Sequence, residues 1–131
     1  MLQKSFYNLL SVREKSDLSE TVRKFSALVE IIPTHPVFAG HFPGNPVVPG
    51  VCQIEIIREI LMEILKKSVM IKKSGNIKFL SMINPLAHPV LDIDLDMKTL
   101  SMEETEVTAL IRSGMIIFLK FRGTVQTESN G

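Results

Sequence analysis

From Val90 to Leu100 the chain alternates without a break, with Leu91, Ile93, Leu95 and Met97 on one phase and Asp92, Asp94 and Asp96 on the other. A period of two puts the apolar set on one face of a strand and the carboxylates on the opposite, solvated face. Residues 5–13 and 20–32 are rich in Phe, Tyr, Val, Leu and Ile, and the polar run Glu14-Lys15-Ser16-Asp17 parts them. They predict two antiparallel strands. Further strands are predicted over Val69–Met82, Glu104–Arg112 and Met115–Val125, with Ser113-Gly114 as a tight hairpin turn that uses glycine's access to positive φ. A different rhythm runs between these runs. Val51, Ile54, Ile57, Ile60 or Leu61, and Ile64 or Leu65 recur at steps of three and four, which predicts a helix. It starts just after Pro49-Gly50 and reaches about Lys67, a span of about 25 Å. Two strands, one long central helix and about four more strands describe an α+β domain in which a single antiparallel sheet wraps one helix.

The chain has 131 residues, 45% of them hydrophobic and 22% charged, which is a globular composition for one domain over residues 1–131. Such a length buries roughly two-thirds of the unfolded surface, so the core needs no disulfide or metal to hold it. Cys52 stands alone, so no internal disulfide forms, and the expected compartment is the reducing cytoplasm. A net charge of +1 argues against nucleic acid as a partner, because phosphate neutralisation needs a strongly basic face. The first ten residues lack the apolar run of a signal peptide before Arg13 and Glu14. The uncharged stretch from Ile31 to Ile54 carries Pro33, Pro36, Pro43, Pro46 and Pro49, which no continuous membrane helix accepts.

The segment His35 to Glu55 holds the chemistry. Its prolines and glycines set an irregular path that delivers the backbone to a helix N-terminus near Gly50 and Val51. First-turn amides have no intrahelical partner there, and they give a partial positive potential suited to a carbonyl oxygen that gains negative charge. Gly50 also allows a ligand to approach the backbone closely.

The run His41-Phe42-Pro43-Gly44-Asn45-Pro46-Val47-Val48-Pro49-Gly50-Val51-Cys52-Gln53-Ile54-Glu55 resembles the active-site signature of β-hydroxyacyl-acyl carrier protein dehydratases, H-F-P-x-x-P-small-x-P-G-V-x-x-x-E. Phe38-Ala39-Gly40 resembles the family's preceding F-x-G, and Ile77-Lys78-Phe79-Leu80 with Asn84-Pro85 resembles its strand after the helix. The resemblance implies a hot-dog fold and a lyase that dehydrates β-hydroxyacyl thioesters carried on acyl carrier protein, without metal or organic cofactor. It implies that His41 takes the α proton, that Glu55 serves the departing β-hydroxyl, and that Gly50 offers its amide to the thioester carbonyl. Val51, Phe42, Phe38 and Glu59 are the further substrate-binding candidates. The chemistry has these needs: a base titrating near neutrality, a donor for the enolate oxygen, and a carboxyl to handle the leaving group. In the family each site is shared by two chains, so a homodimer, or a multiple of it, is expected.

Two departures stand out. Glu59 replaces the family's usual Gln, and the N-terminal Pro-His-Arg segment is absent. A second carboxylate one turn from Glu55 is expected to raise the pKa of one of the pair if both are buried, with Arg58 placed to offset it. The rival readings are a hot-dog thioesterase, a coenzyme A-linked hydratase, and a catalytically silent acyl-binding subunit. Cys52 reads as a small buried residue rather than a nucleophile. His35 and His88 precede prolines with no ligand cluster around them, and the aspartate series lacks the glycine turn of a calcium loop. Lys66-Lys67 and Lys72-Lys73 read as a charged helix end with a secondary docking role toward an acidic carrier protein.

Overall fold

The computed structural model describes residues 1–15, 21–40 and 44–128. In chain order the elements are β1 (Tyr7–Lys15), β2 (Val22–Ile31), α1 (Pro36–Gly40), α2 (Gly50–Leu65), β3 (Val69–Phe79), β4 (Val90–Thr99), β5 (Glu104–Ser113) and β6 (Ile116–Thr127). The strands form one antiparallel sheet in the order β1-β2-β4-β5-β6-β3. This is the predicted α+β arrangement, a sheet folded around one long helix.

Alternation in the strands becomes the core. Phe25 on β2 sits across from Leu95 on β4, Leu95 from Ala109 on β5, and Ala109 from Phe121 on β6, and all four are buried. Against this row α2 places Gln53, Ile56, Ile57, Ile60 and Leu61, the i, i+3, i+4, i+7, i+8 stripe of a core-facing helix. On the outer phase Asp92 and Asp94 face Arg112, with Arg112 Nε donating to Asp94 Oδ2 at 2.7 Å. The aspartate series is thus the solvated side of β4.

The hairpin at Ser113-Gly114 is present, and Gly114 has φ +58, where a side chain would be strained. Helix α2 ends at Leu65 because Lys66 turns left-handed, φ 56, and gives its amide to Met62 O at 2.8 Å. β3 is shorter than predicted. After Phe79 the chain leaves the sheet so that Ile83 enters the core, where its carbonyl takes the Val48 amide at 2.9 Å.

The expected irregular path after His35 contains a short helix, α1. Pro36 stands at its first position, where its fixed φ fits and no amide is missed. His35 Nδ1 accepts the Val37 amide at 3.1 Å, and its ring meets Phe6 edge-on with centroids 5.3 Å apart.

Candidate active site

Helix α2 begins without a side-chain cap. Pro49 is extended, and its carbonyl accepts the Cys52 and Gln53 amides at 3.0 and 3.1 Å. The amides of Gly50 and Val51 therefore precede the first intrahelical bond, and both belong to the unsatisfied positive end of a sixteen-residue helix. The Phe79 ring lies against Gly50, where an added Cβ would meet Cζ at 2.8 Å. An added methyl at position 50 would therefore have to displace the exposed Phe79 ring, a contact set by close approach rather than by φ. Val51 points its side chain outward and is 78% exposed.

Glu55 lies one turn further on, clamped by Arg58. The guanidinium Nε donates to both carboxylate oxygens at 3.0 and 2.9 Å, and Nη2 donates to Oε1. Arg58 is itself fixed by Nη1 donating to Val69 O at 2.9 Å. These hydrogen bonds outweigh partial burial and hold the Glu55 carboxyl below the usual range for glutamate. Glu55 is a carboxylate at neutral pH.

Glu59 does something different. It is 2% exposed, and it accepts the Leu2 amide at 2.7 Å, the Gln3 amide at 2.9 Å and the Tyr7 hydroxyl at 3.1 Å. Burial, and next the Glu59 charge, push the Tyr7 hydroxyl well above its ordinary value, so it remains a donor. The condition for mutual repulsion, burial of both carboxylates, is not met because Glu55 is only partly buried, and Arg58 offsets it as expected. Each carboxylate has its own donors, and Glu55 is lowered rather than raised.

His41 and Phe42 lie outside the described residues. Phe38 is buried and stacks on Phe6 with centroids 5.4 Å apart, as part of the core beneath α1. Cys52 is half-buried, and burial raises its thiol, which opposes a thiolate nucleophile. His88 Nδ1 meets Ser113 Oγ at 3.1 Å. Lys66 pairs with Glu63 and Lys72 with Glu104. No group of three or more His, Cys, Asp or Glu among the described residues is placed to hold a metal.

Gln53 was not singled out from the sequence. It is 3% exposed beside an apolar cavity of about 470 Å³ between the first turn of α2, the Val47-Val48 segment and residues 79–82. The signal was a lone polar residue at the head of an otherwise isoleucine and leucine stripe.

A family model described as ApeI-like, ApeI dehydratase, matches residues 17–112, well over half of the chain. The chain belongs to the ApeI-like dehydratase family. A 3-hydroxyacyl-acyl-carrier-protein dehydratase FabZ from a Caulobacter species is 38% identical over 72 residues, which cover 52% of this chain and 44% of that relative. The chain thus spans less than half the length of that curated relative. FabZ from Rickettsia felis is 22% identical over 121 residues, covering 86% of this chain and 81% of the relative. Among solved structures, the dehydratase heterocomplex ApeI:P from Xenorhabdus doucetiae matches with a TM-score of 0.64 at 16% identity, over 91% of this chain and 96% of that one. That likeness is one of fold, the hot-dog fold. Residues 41–55 fall within the matched span, and no helix among the described residues is long and apolar enough to cross a membrane.

Proposed function

We propose that this ApeI-like chain is a hydro-lyase that removes water from β-hydroxyacyl thioesters carried on acyl carrier protein. The observation that carries the reading is that the Gly50 and Val51 amides, without a partner among the described residues, stand four to five residues before an ionised Glu55 at the start of the same helix. An elimination next to a thioester needs both: donors for the oxygen that becomes enolate-like, and an acceptor for the β-hydroxyl.

In this reading His41 takes the α proton as the C–O bond breaks and the double bond forms. Held as a carboxylate by Arg58, Glu55 does not supply a proton of its own. It orients the β-hydroxyl by accepting its hydrogen bond, and the proton gained by His41 leaves on the hydroxyl as water. Protons and electrons balance within the substrate and His41, so the step calls for no cofactor. A second copy of the chain completes each site, with His41 of one chain facing Glu55 of the other. The exposed side chains of Val51, Phe79, Leu80 and Met82 near the start of α2 and the end of the edge strand β3 support such a neighbour. A cytoplasmic location fits a carrier-protein substrate.

The test is an assay of the purified protein by mass spectrometry with short and medium β-hydroxyacyl thioesters on acyl carrier protein and on coenzyme A. Enoyl product, lost in His41→Ala and Glu55→Gln variants that still fold, supports the reading. Free acid without enoyl product would replace it with a thioesterase, and bound but unchanged thioester would replace it with a silent acyl-binding subunit.

A further inference from the structure

Gln53 is nearly sealed from solvent, yet only half of its amide is used. Nε2 donates to Val48 O at 3.2 Å, while Oε1 has no hydrogen-bond partner among the described residues. The orientation of the amide is decided by this contact, because the Val48 carbonyl accepts only, so the group facing it must be the NH₂. Oε1 therefore faces the other way, in a residue that borders the cavity formed with Val48, Gly50, Phe79, Leu80 and Met82. An unpaired amide oxygen in a buried, mostly apolar place is costly, and leucine or methionine would fill the same stripe position without that cost. A missing donor is the simplest reason for glutamine.

We propose that Gln53 Oε1 is the polar subsite of this cavity, accepting a hydrogen bond from an N–H group on an otherwise apolar ligand, namely the first amide of the thioester's carrier arm. The choice of ligand rests on the dehydratase reading. Glu55 lies on the opposite side of α2, since two residues advance the helix by about 200°, so the β-hydroxyl that Glu55 serves is not the donor left for Gln53. Gly50 and Gln53 share a side, three residues apart. A thioester whose carbonyl meets the Gly50 amide carries its arm nitrogen four bonds from the carbonyl carbon, about 5 Å away, and three residues of helix rise about 4.5 Å. The apolar walls suit the methylenes between these two polar groups. Gln53 is in this view a specificity residue for the arm, common to every acyl group the carrier delivers.

The test compares two saturated ligands that need no turnover: butyryl-N-acetylcysteamine thioester, which has the arm amide, and its 2-acetoxyethyl counterpart, in which an ester oxygen replaces the N–H. The wild-type protein is expected to bind the amide about tenfold more tightly by calorimetry, the scale of one buried hydrogen bond. Gln53→Met is expected to abolish that preference. An equal loss for both ligands would mean that Gln53 only tethers Val48, and it would overturn the subsite. Should Gln53→Met fail to fold, the wild-type preference decides alone, and equal affinities would overturn the proposal. Turnover of β-hydroxyacyl substrates without the amide preference would sink the Gln53 subsite and spare the dehydratase. The preference without turnover would do the reverse.

Discussion

The Tyr7 hydroxyl donates to Glu59 Oε1 at 3.1 Å, joining the first strand to the central helix inside the core. With the Leu2 and Gln3 amides on the same carboxylate, Glu59 is the point at which the N-terminal residues are tied to α2. Converting Glu59→Gln places an NH₂ against donors that need acceptors, and it is expected to cost about 1–3 kcal/mol of stability. Tyr7→Phe is expected to cost about 1–2 kcal/mol. Urea denaturation of both variants and of the double mutant checks this, and the double should lose less than the sum because the groups share one network. A Glu59→Gln protein as stable as wild type would dismiss the tie.

Arg58 makes Glu55 a source of pH-dependent stability. The folded carboxyl titrates below the ordinary value for glutamate, so the contribution is complete above that ordinary value and disappears as pH falls through the lower folded one. Unfolding measured at steps between about pH 6 and pH 3 should show a decline that is shallower in Arg58→Met, whose Glu55 loses its main stabilising donor. In the activity assay the same variant should move the acid limb toward higher pH. An unmoved limb would show that Glu55 ionisation does not govern turnover.

The contact between Gly50 and Phe79 predicts a rescue. A methyl group at position 50 suits a helix but collides with the half-exposed Phe79 ring, so Gly50→Ala should fold well while the ring swings toward the cavity. Turnover is expected to fall, by as much as the ~10²–10³ of a lost oxyanion donor if the displaced ring fully blocks the amide. Phe79→Ala on that background should recover most of the loss. Without recovery the added methyl itself, rather than the displaced ring, would be the obstacle at the amide.

If His41 and Glu55 of different chains share a site, two inactive variants should repair one another. Mixing His41→Ala with Glu55→Gln under conditions that exchange subunits gives dimers of which about half are mixed, each with one intact and one doubly defective site. Activity should climb toward about a quarter of wild type. Demonstrated exchange with no recovery would put the pair within a single chain.

Alternation and helical spacing settled most of the architecture before any contact was known. The strict two-residue period of β4 already separated Leu91, Ile93, Leu95 and Met97 from the aspartates, because a strand with one dry face cannot shift by one residue without inverting every side chain. Three- and four-residue spacing likewise predicted α2, although its buried face begins at Gln53 and leaves the expected first member, Val51, exposed. Strand β3 was less legible. Its bulges between Ile71 and Lys73 and between Ser74 and Asn76 reset the alternation, so the contact of Phe79 with Gly50 followed from no local pattern. The roles of the polar groups on α2 were also decided only in three dimensions. Glu55 and Glu59, one turn apart and identical in type, differ because one meets Arg58 on its own helix while the other meets two amides and a hydroxyl from more than fifty residues away. A residue's charge state and task depend on which donors the fold brings within hydrogen-bond range, and long-range partners leave no periodicity in the chain.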